Sequence, residues 1–224
     1  MKISVVVPLL NEAQELPRLL ERLSLLRRQG TEVIIADGGS EDGSADTAES
    51  AGFTVVRTAK GRARQMNAGA AQASGDVLLF LHADTQLPDE APMWIEQELA
   101  DNRTAWGRFD VRISGRPFML KVVSRMMNIR SRLTGIATGD QAMFLTRCAF
   151  DAVGGFPDQP LMEDVELSRR LLALCRPACI ARCVTTSGRR WETRGVWRTI
   201  LLMWRLRWDY WRGVPAQQLA DAYR

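Results

Sequence analysis

The chain has 224 residues, of which 46% are hydrophobic and 25% charged, an ordinary balance for a globular protein that can bury a core. Its formal net charge of +4 is compatible with a phosphate-bearing ligand or an anionic membrane surface, but it is too small to indicate nucleic-acid binding. Met1 and Lys2 lead directly into a strand-like run, and no apolar stretch approaches the roughly 20 residues that span a bilayer. We therefore expect no transmembrane helix, no nucleic-acid partner and a cytoplasmic location.

The first third of the chain alternates apolar strands with helices. Strands are predicted at 3–7, 32–36, 53–57 and 77–81, and helical patterns lie between them. Because these runs are apolar throughout and each is followed by a helix, they indicate an α/β fold with a parallel sheet covered on both faces. Ligands of such sheets bind beyond the carboxyl ends of the strands, so the residues that follow each strand are the candidate site.

Polar side chains follow each of these strands. Asn11 and Glu12 come after the first, Asp37 begins a glycine-rich loop after the second, Arg62 follows the third, and Asp84 follows the apolar run LLFL. Any one of them is explained by a turn or a helix cap, but polar residues at four strand ends on one edge favour a shared ligand site. Carboxylates can accept from a nucleoside, arginines can neutralise a diphosphate, and Mg²⁺ or Mn²⁺ prefers oxygen ligands. Neither G-x-G-x-x-G nor a P-loop is present, which disfavours hydride transfer and P-loop chemistry.

Other chemistry-bearing residues are sparse. His82 is the only histidine, and because imidazole is an unusual Mg²⁺ ligand, we expect a structural or supporting role for it. The four cysteines, at 148, 175, 179 and 183, match no zinc spacing, so we expect reduced, buried thiols. Glu163 and Asp164 begin a predicted helix, where a carboxylate either caps the helix or serves as a general base.

The carboxyl-terminal segment, 196–224, differs from the preceding part, and we predict a domain boundary after residue 195. Its helical pattern combines an arginine face with an aromatic one, and the aromatic face comprises Trp197, Ile200, Leu201, Trp204, Trp208 and Trp211. Such an amphipathic helix can lie at a bilayer interface, or it can pack on the protein or in a dimer. Both alternatives stay open, and a lipid-linked acceptor would suit the first.

Several of these stretches together resemble a known family. The segments SVVVPLLNE, VIIADGGSEDGS, GRARQMNAG and LLFLHADT resemble the opening of family-two, nucleotide-sugar-dependent glycosyltransferases of the GT-A fold. The likeness continues through ATGDQAMFLTRCAFDAVGGFPDQPLMEDVELSRRL and SGRRWETRG to about Gly195, and it is strongest to a compact bacterial subgroup without transmembrane helices. It implies a Rossmann-like, mostly parallel sheet and an inverting transfer of a sugar from a nucleoside-diphosphate sugar to an acceptor hydroxyl.

The resemblance also implies residue roles. Asp164 matches the general base, and Asp84 matches the last acid of the D-x-D metal motif, which implies Mg²⁺ or Mn²⁺. His82 replaces the first acid of that motif, and Ser187 replaces the Gln or Arg that precedes Arg190 and Trp191, which disfavours a processive polysaccharide synthase. The residues implied to contact the nucleotide sugar are Pro8, Asn11, Glu12, Asp37, Gly38, Arg62, Asn67, Asp84, Gln141, Arg190 and Trp191.

Two other functions share this scaffold. A sugar-nucleotide nucleotidyltransferase would have the same sheet and metal acid, but it should carry a glycine-rich loop with Arg and Lys after the first strand, and PLLNE lacks it. A non-catalytic nucleotide-binding module would not need both Asp84 and Asp164. The sequence therefore favours a glycosyltransferase whose acceptor, possible membrane contact and donor sugar are left open.

Overall fold

The computed structural model describes residues 1–101 and 103–223. The strands are β1 (Ile3–Leu9), β2 (Glu32–Asp37), β3 (Thr54–Arg57), β4 (Val77–Phe80), β5 (Thr85–Gln86), β6 (Trp106–Ser114), β7 (Phe144–Thr146) and β8 (Ala178–Ser187). The helices are α1 (Leu16–Arg28), α2 (Ser44–Ser50), α3 (Arg62–Gln72), α4 (Ala91–Leu99), α5 (Met119–Thr134), α6 (Arg147–Ala152), α7 (Glu163–Leu172), α8 (Arg189–Arg194), α9 (Val196–Trp211) and α10 (Ala216–Tyr223). A short 3₁₀ turn covers Gly139–Gln141.

The strands form one sheet in the order β3-β2-β1-β4-β7-β6-β8-β5. Strands β1 to β4 are parallel neighbours, which confirms the predicted parallel half of the sheet. Strand β7 runs antiparallel to β4 and β6, β6 pairs in parallel with β8, and β5 is antiparallel to β8. The parallel strands therefore present their carboxyl ends at one edge, as the sequence predicts.

Helices cover both faces of the sheet, and strand β1 shows why. Val5 and Val7 point into one core with α1, α2 and α4, whereas Val6 points into the opposite core with α3, α6 and α7. All three valines are at most 1% exposed. A strand buried on both faces needs the continuous β-branched run that the sequence provides.

Helix α3 lies very close to the sheet. A Cβ at Gly69 would come within 2.4 Å of Val6 Cγ1, so only glycine allows this approach. The Gln65 amide then donates to Leu9 O at 2.7 Å and to Ala36 O at 3.0 Å. This buried amide ties the ends of β1 and β2 together at the edge where the predicted site lies.

Helix α9 has two apolar faces with different environments. Leu206 is buried against Met162 and Leu219, and partly buried residues such as Met203 surround this cluster. The tryptophan face remains exposed: Trp197, Trp204, Trp208 and Trp211. Within residues 1–101 and 103–223 no helix has the length and apolar character needed to cross a bilayer. Arg224, the last residue of the predicted tail, lies outside the described residues.

All four cysteines are unpaired, which confirms the prediction of free thiols. The expectation that they are buried is wrong: Cys148 is exposed on α6, and Cys175, Cys179 and Cys183 are partly exposed. Cys179 and Cys183 lie on β8, in which buried side chains are interspersed with exposed and partly exposed ones, and Cys175 precedes β8 and packs against the core at its margin.

Candidate active site

The loops after β1 and β2 interlock at the sheet edge. Asn11 adopts a left-handed backbone conformation with φ of 53°. Its amide N–H donates to Ser40 Oγ at 2.9 Å, and its Oδ1 accepts from the Glu41 N–H at 2.9 Å. Predicted donor-binding residues from both loops are thus held in one rigid unit next to Pro8 and Asp37.

Asp37 is an organised, buried carboxylate. It is 2% exposed, and its Oδ2 accepts from the backbone N–H groups of Gly39 at 3.0 Å and Ser40 at 3.1 Å. Ser40 Oγ also donates to Oδ1 at 2.5 Å. Behind it, a Cβ at Gly38 would approach the Gln65 side chain to 2.9 Å. The turn fixes the Asp37 carboxylate without any ligand, so this residue supports the loop as well as the predicted nucleoside site.

Glu12 and Asp84 lie near each other at the ends of β1 and β4. Burial raises the pKa of Glu12, Arg189 opposes the rise from 3.6 Å, and the neighbouring Asp84 carboxylate adds to it. Asp84 itself is exposed. Two carboxylates that repel each other at an open edge suit a divalent cation, and Mg²⁺ commonly uses one or two protein carboxylates with substrate phosphates and water. No group of three or more His, Cys, Asp or Glu side chains with metal-binding geometry occurs among the described residues.

His82 packs against the 3₁₀ turn. Its Nδ1 lies 3.5 Å from Asp140 Oδ1, and its side chain is 12% exposed. A Cβ at Gly139 would come within 2.3 Å of the His82 ring, so the ring lies directly on the Gly139 backbone. This geometry favours the expected supporting role, because the ring links the end of β4 to the turn that carries Asp140.

Helix α7 brings Glu163 and Asp164 to the same turn. Asp164 Oδ2 accepts from the Gly139 N–H at 2.8 Å. Glu163 is 2% exposed and pairs with Arg62 Nη1 at 3.5 Å. Burial raises the pKa of Glu163, the adjacent Asp164 carboxylate adds to the rise, and Arg62 opposes it. The two neighbouring acids thus have different environments, and Asp164 is the less buried of the two.

Two predicted contact residues are engaged within the protein. Asn67 clamps the backbone of Phe156: its Nδ2 donates to Phe156 O at 2.8 Å and its Oδ1 accepts from Phe156 N–H at 2.9 Å. Gln141 is fully buried, and its Oε1 accepts from the Thr138 N–H at 3.2 Å. Both arrangements favour supporting positions, and their direct contact with a nucleotide sugar stays a prediction.

Arg190 and Trp191 lie on α8 near the carboxyl terminus. The Arg190 guanidinium stacks over the Tyr223 ring at 3.6 Å and donates to Tyr223 O at 3.1 Å. Trp191 borders an open cleft of about 520 Å³ together with Arg116, Pro117 and Glu192. Apart from Trp191, no predicted site residue lines this cleft. The stacking of Arg190 on Tyr223 could not be predicted from the motif, because it depends on how α10 folds back.

Sequence reasoning missed several residues that build the site. Gln65, Asp140 and Arg189 were not predicted, yet they hold the strand ends, the His82 ring and Glu12. Gln65 had one usable signal: it is a polar residue at a core-facing position of a helix otherwise rich in alanine and glycine. The other two depend on contacts between distant parts of the chain.

Solved structures share this architecture. The mannosyltransferase PcManGT from Pyrobaculum calidifontis, in complex with GDP-Man and Mn²⁺, matches with a TM-score of 0.66 and 20% identity, over 82% of this chain and 56% of that one. Staphylococcus aureus TarS 1-349 in complex with UDP-GlcNAc gives 0.65 and 18% identity, over 84% and 58%. Together with the edge of acidic side chains, these likenesses define the GT-A glycosyltransferase fold, as predicted.

Sequence comparison identifies the family. The model described as glycosyl transferase family 2 matches residues 4–152, which is more than half of the chain. The chain belongs to glycosyl transferase family 2, and the prediction of a glycosyltransferase is confirmed at that level.

Curated relatives match over part of their length. An undecaprenyl-phosphate 4-deoxy-4-formamido-L-arabinose transferase from Serratia proteamaculans (strain 568) is 34% identical over 156 residues, which cover 64% of this chain and 48% of the relative. The protein of that name from Yersinia enterocolitica serotype O:8 / biotype 1B is 31% identical, covering 64% and 47%. The chain spans about half the length of these relatives. The individual site residues, the metal and the inverting mechanism stay predictions.

Proposed function

We propose that this chain transfers a glycosyl group from a nucleoside-diphosphate sugar to an acceptor hydroxyl, with inversion at the anomeric carbon. The main support for this proposal is the arrangement of the Gly139 turn, Asp164 and His82. The Gly139 turn contacts Asp164 through its N–H and lies against His82, which is two residues from Asp84. The predicted base and the predicted metal acid are therefore supported by one small group of contacts.

The donor side uses the edge formed by β1, β2 and β4. Asp37, fixed by its own loop, is suited to accept from a base or ribose, and the exposed Gly39 leaves the backbone accessible to a ligand. Asp84, with Glu12 beside it, would hold Mg²⁺ or Mn²⁺, which when bound stabilises the negative charge of the departing diphosphate. Arg62 adds a positive charge at the first turn of α3.

The acceptor side uses Asp164. The acceptor oxygen attacks the anomeric carbon on the face opposite the diphosphate, and the bond from that carbon to the diphosphate oxygen breaks with its electron pair on the leaving group. The acceptor proton passes to the Asp164 carboxylate. The Gly139 N–H and the start of α7 orient this carboxylate before the acceptor arrives.

The acceptor in this proposal is lipid-linked, and the protein binds it at a membrane surface. Four exposed tryptophans on α9 support this: Trp197, Trp204, Trp208 and Trp211 are 58–76% exposed. Arg198, Arg205 and Arg212 flank them and can attract anionic headgroups. The named relatives are undecaprenyl-phosphate sugar transferases, which is compatible with this choice.

Donor binding is the decisive test of transfer. Nucleotide sugars of each base are screened by thermal unfolding with Mn²⁺ or Mg²⁺, and one of them at 100 times its Kd should stabilise the fold by about 2.7 kcal/mol. Asp84→Asn should abolish the metal-dependent part of this shift, whereas Asp89→Asn, which alters an exposed acid just beyond β5, should not. Stabilisation by no nucleotide sugar, or an equal metal response in both variants, contradicts the proposal.

Membrane binding is tested by substitution, because deletion of 196–224 would uncover the apolar cluster around Met162 and Leu206. Trp204→Gln with Trp211→Gln should reduce co-sedimentation with anionic vesicles. Met93→Gln, which alters a residue that is 49% exposed on α4, should not. Unchanged vesicle binding, or loss of a dimer in the tryptophan variant, would assign this face to protein contacts instead.

A further inference from the structure

Two arginines near Asp164 have unused hydrogen-bonding capacity. Arg130 on α5 has its Nε and Nη2 atoms buried without a hydrogen-bond partner. Arg207 on α9 is partly buried and makes no hydrogen bond or close ion pair within the described part of the chain. Burying cationic donors without partners is costly, and such costs are typical of functional sites.

The two guanidinium groups lie near the same acids, and the charge of Arg207 acts on Arg130. Burial and the positive charge of Arg207 together lower the pKa of Arg130 to about 10, and Asp164 opposes the change. Burial also lowers the pKa of Arg207, and Asp164 and Asp140 oppose it. Both cations are therefore held close to the predicted base, and each destabilises the other unless an anion lies between them.

Neighbouring arginines already have partners. Arg62 pairs with Glu163, Arg190 stacks on Tyr223, and Arg108 pairs with Asp110 while donating to Asn128 O at 3.2 Å. Arg130 and Arg207, which lack such partners within the described residues, thus have donors to offer an incoming group. Planar guanidinium donors match the oxygens of a phosphate particularly well.

We propose that Arg130 and Arg207 form an anion subsite that binds the phosphate group of the acceptor beside Asp164. This inference rests on the proposed function, which makes the Asp164 side the acceptor side. The outer surfaces of the same two helices support it. Next to Arg130, α5 and its first flanking residue expose Phe118, Met126 and Leu133, and next to Arg207, α9 exposes its tryptophans, so each helix that carries one of the arginines also offers apolar side chains to a lipid chain.

The test uses defined small probes and no membrane. Binding of geranyl phosphate, glycerol 3-phosphate and geraniol is measured by calorimetry on the full chain and on Arg130→Gln and Arg207→Gln. Arg125→Gln on α5 and Arg205→Gln on α9, which alter exposed arginines, are the matched controls. Loss of one charge-assisted contact should weaken binding of geranyl phosphate about 10- to 100-fold and leave geraniol and both controls unchanged.

A stability measurement separates a binding role from a structural one. Because the arginines are partly buried without partners, Arg130→Met and Arg207→Met should melt no lower than the parent protein. If a Gln variant does not fold, the Lys variant at the same position should retain part of the affinity for geranyl phosphate. Tighter binding of geranyl phosphate than of glycerol 3-phosphate assigns a lipid source, equal binding assigns a soluble one, and both support the subsite.

Three results would overturn the inference. The first is unchanged phosphate-ester affinity in both Gln variants, and the second is a lower melting temperature in the Met variants with unchanged phosphate-ester affinity. The third is a loss of nucleoside-diphosphate binding as large as the loss of phosphate-ester binding, which would place the pair in the donor site. Failure of the unaltered protein to bind any nucleotide sugar is a separate result. It would remove the proposed function without changing the phosphate-ester measurements.

Discussion

Replacing Asp164 with Asn removes the proton acceptor and keeps the size of the side chain. Asp164 Oδ2 accepts from Gly139 N–H at 2.8 Å, and Oδ1 accepts from Val165 N–H at 2.7 Å. The amide of Asn has one acceptor oxygen, so one of these bonds is kept to a neutral oxygen, and the other is lost because its N–H then faces the amide NH2. Loss of a partner for one N–H costs about 1–3 kcal/mol, which corresponds to a melting temperature lower by about 2–12 °C for a chain of this size.

The effect on catalysis should be much larger. Proton transfer by a positioned side chain contributes roughly 10²–10⁴-fold, and because this interaction is used in the transition state, kcat and kcat/KM should fall together. The assay is release of nucleoside diphosphate from the donor found by the thermal screen, with water as the acceptor hydroxyl. Donor affinity, measured by calorimetry, should change less than twofold, and the product of the parent enzyme should have the inverted anomeric configuration by NMR.

Three outcomes would refute this reasoning. A fall in rate below tenfold in a folded Asp164→Asn protein would remove Asp164 as the base, and Glu163→Gln would be tested next. A collapse of donor affinity would move Asp164 to the donor site. A product with retained configuration would exclude single displacement even if every residue were assigned correctly.

Other perturbations test the supporting residues. Asp37→Ala should weaken nucleoside-diphosphate binding by at least about tenfold and lower the free energy of unfolding by about 1–3 kcal/mol, because it leaves the Gly39 and Ser40 donors unpaired. Calorimetry measures the affinity and denaturation measures the stability, with Glu41→Ala as the exposed control. Unchanged affinity would remove Asp37 from the site. Burial raises the pKa of Glu163 above its ordinary value, so at pH values between the unfolded and the folded pKa the folded state holds a proton that the unfolded state has lost. The stability contributed by this group therefore falls as pH rises through that range, and in Glu163→Gln this fall should be absent from denaturation curves at successive pH values. Gly139→Ala should lower both activity and melting temperature by displacing the His82 ring, and adding His82→Ala should restore much of the melting temperature; no recovery would show that the contact is unimportant.

Strands β1, β2 and β4 could be predicted because they are buried on both faces and therefore form continuous apolar runs in the sequence. Strand β6 could not, because its segment WGRFDVRIS places a charged residue in the core. Arg108 is fully buried, and only its pairing with Asp110 and the carbonyl of Asn128 makes that position tolerable. Those partners are set by tertiary packing, which no local pattern contains.

The carboxyl-terminal segment, 196–224, also depends on tertiary packing that no local pattern contains. The sequence posed a choice between a membrane-facing helix and a packed one, and α9 has both an exposed tryptophan face and a packed face around Leu206. The large tryptophans dominate any helical projection, so the smaller Leu and Met side chains that anchor the helix were overlooked. Arg207 lies on this helix too, and burial and the two acids Asp164 and Asp140, which are distant in the sequence, determine its environment.

The subsite formed by Arg130 and Arg207 bears on which acceptor oxygen attacks. A hydroxyl carries a proton that must be removed, so its reaction needs the Asp164 carboxylate. A phosphate monoester, with a second pKa near 6, has already lost most of that proton at pH 7, and the Asp164 charge would then repel it. If the bound phosphate itself attacked, Asp164→Asn should leave transfer to geranyl phosphate nearly unchanged while still slowing transfer to water by roughly 10²–10⁴-fold. If the phosphate is only a recognition group, no glycosyl phosphate forms, because geranyl phosphate has no other oxygen that can attack. Formation of glycosyl geranyl phosphate by the parent protein, and its survival in Asp164→Asn while transfer to water slows, would therefore identify the phosphate as the nucleophile; absence of this product while transfer to water proceeds would exclude attack by the phosphate.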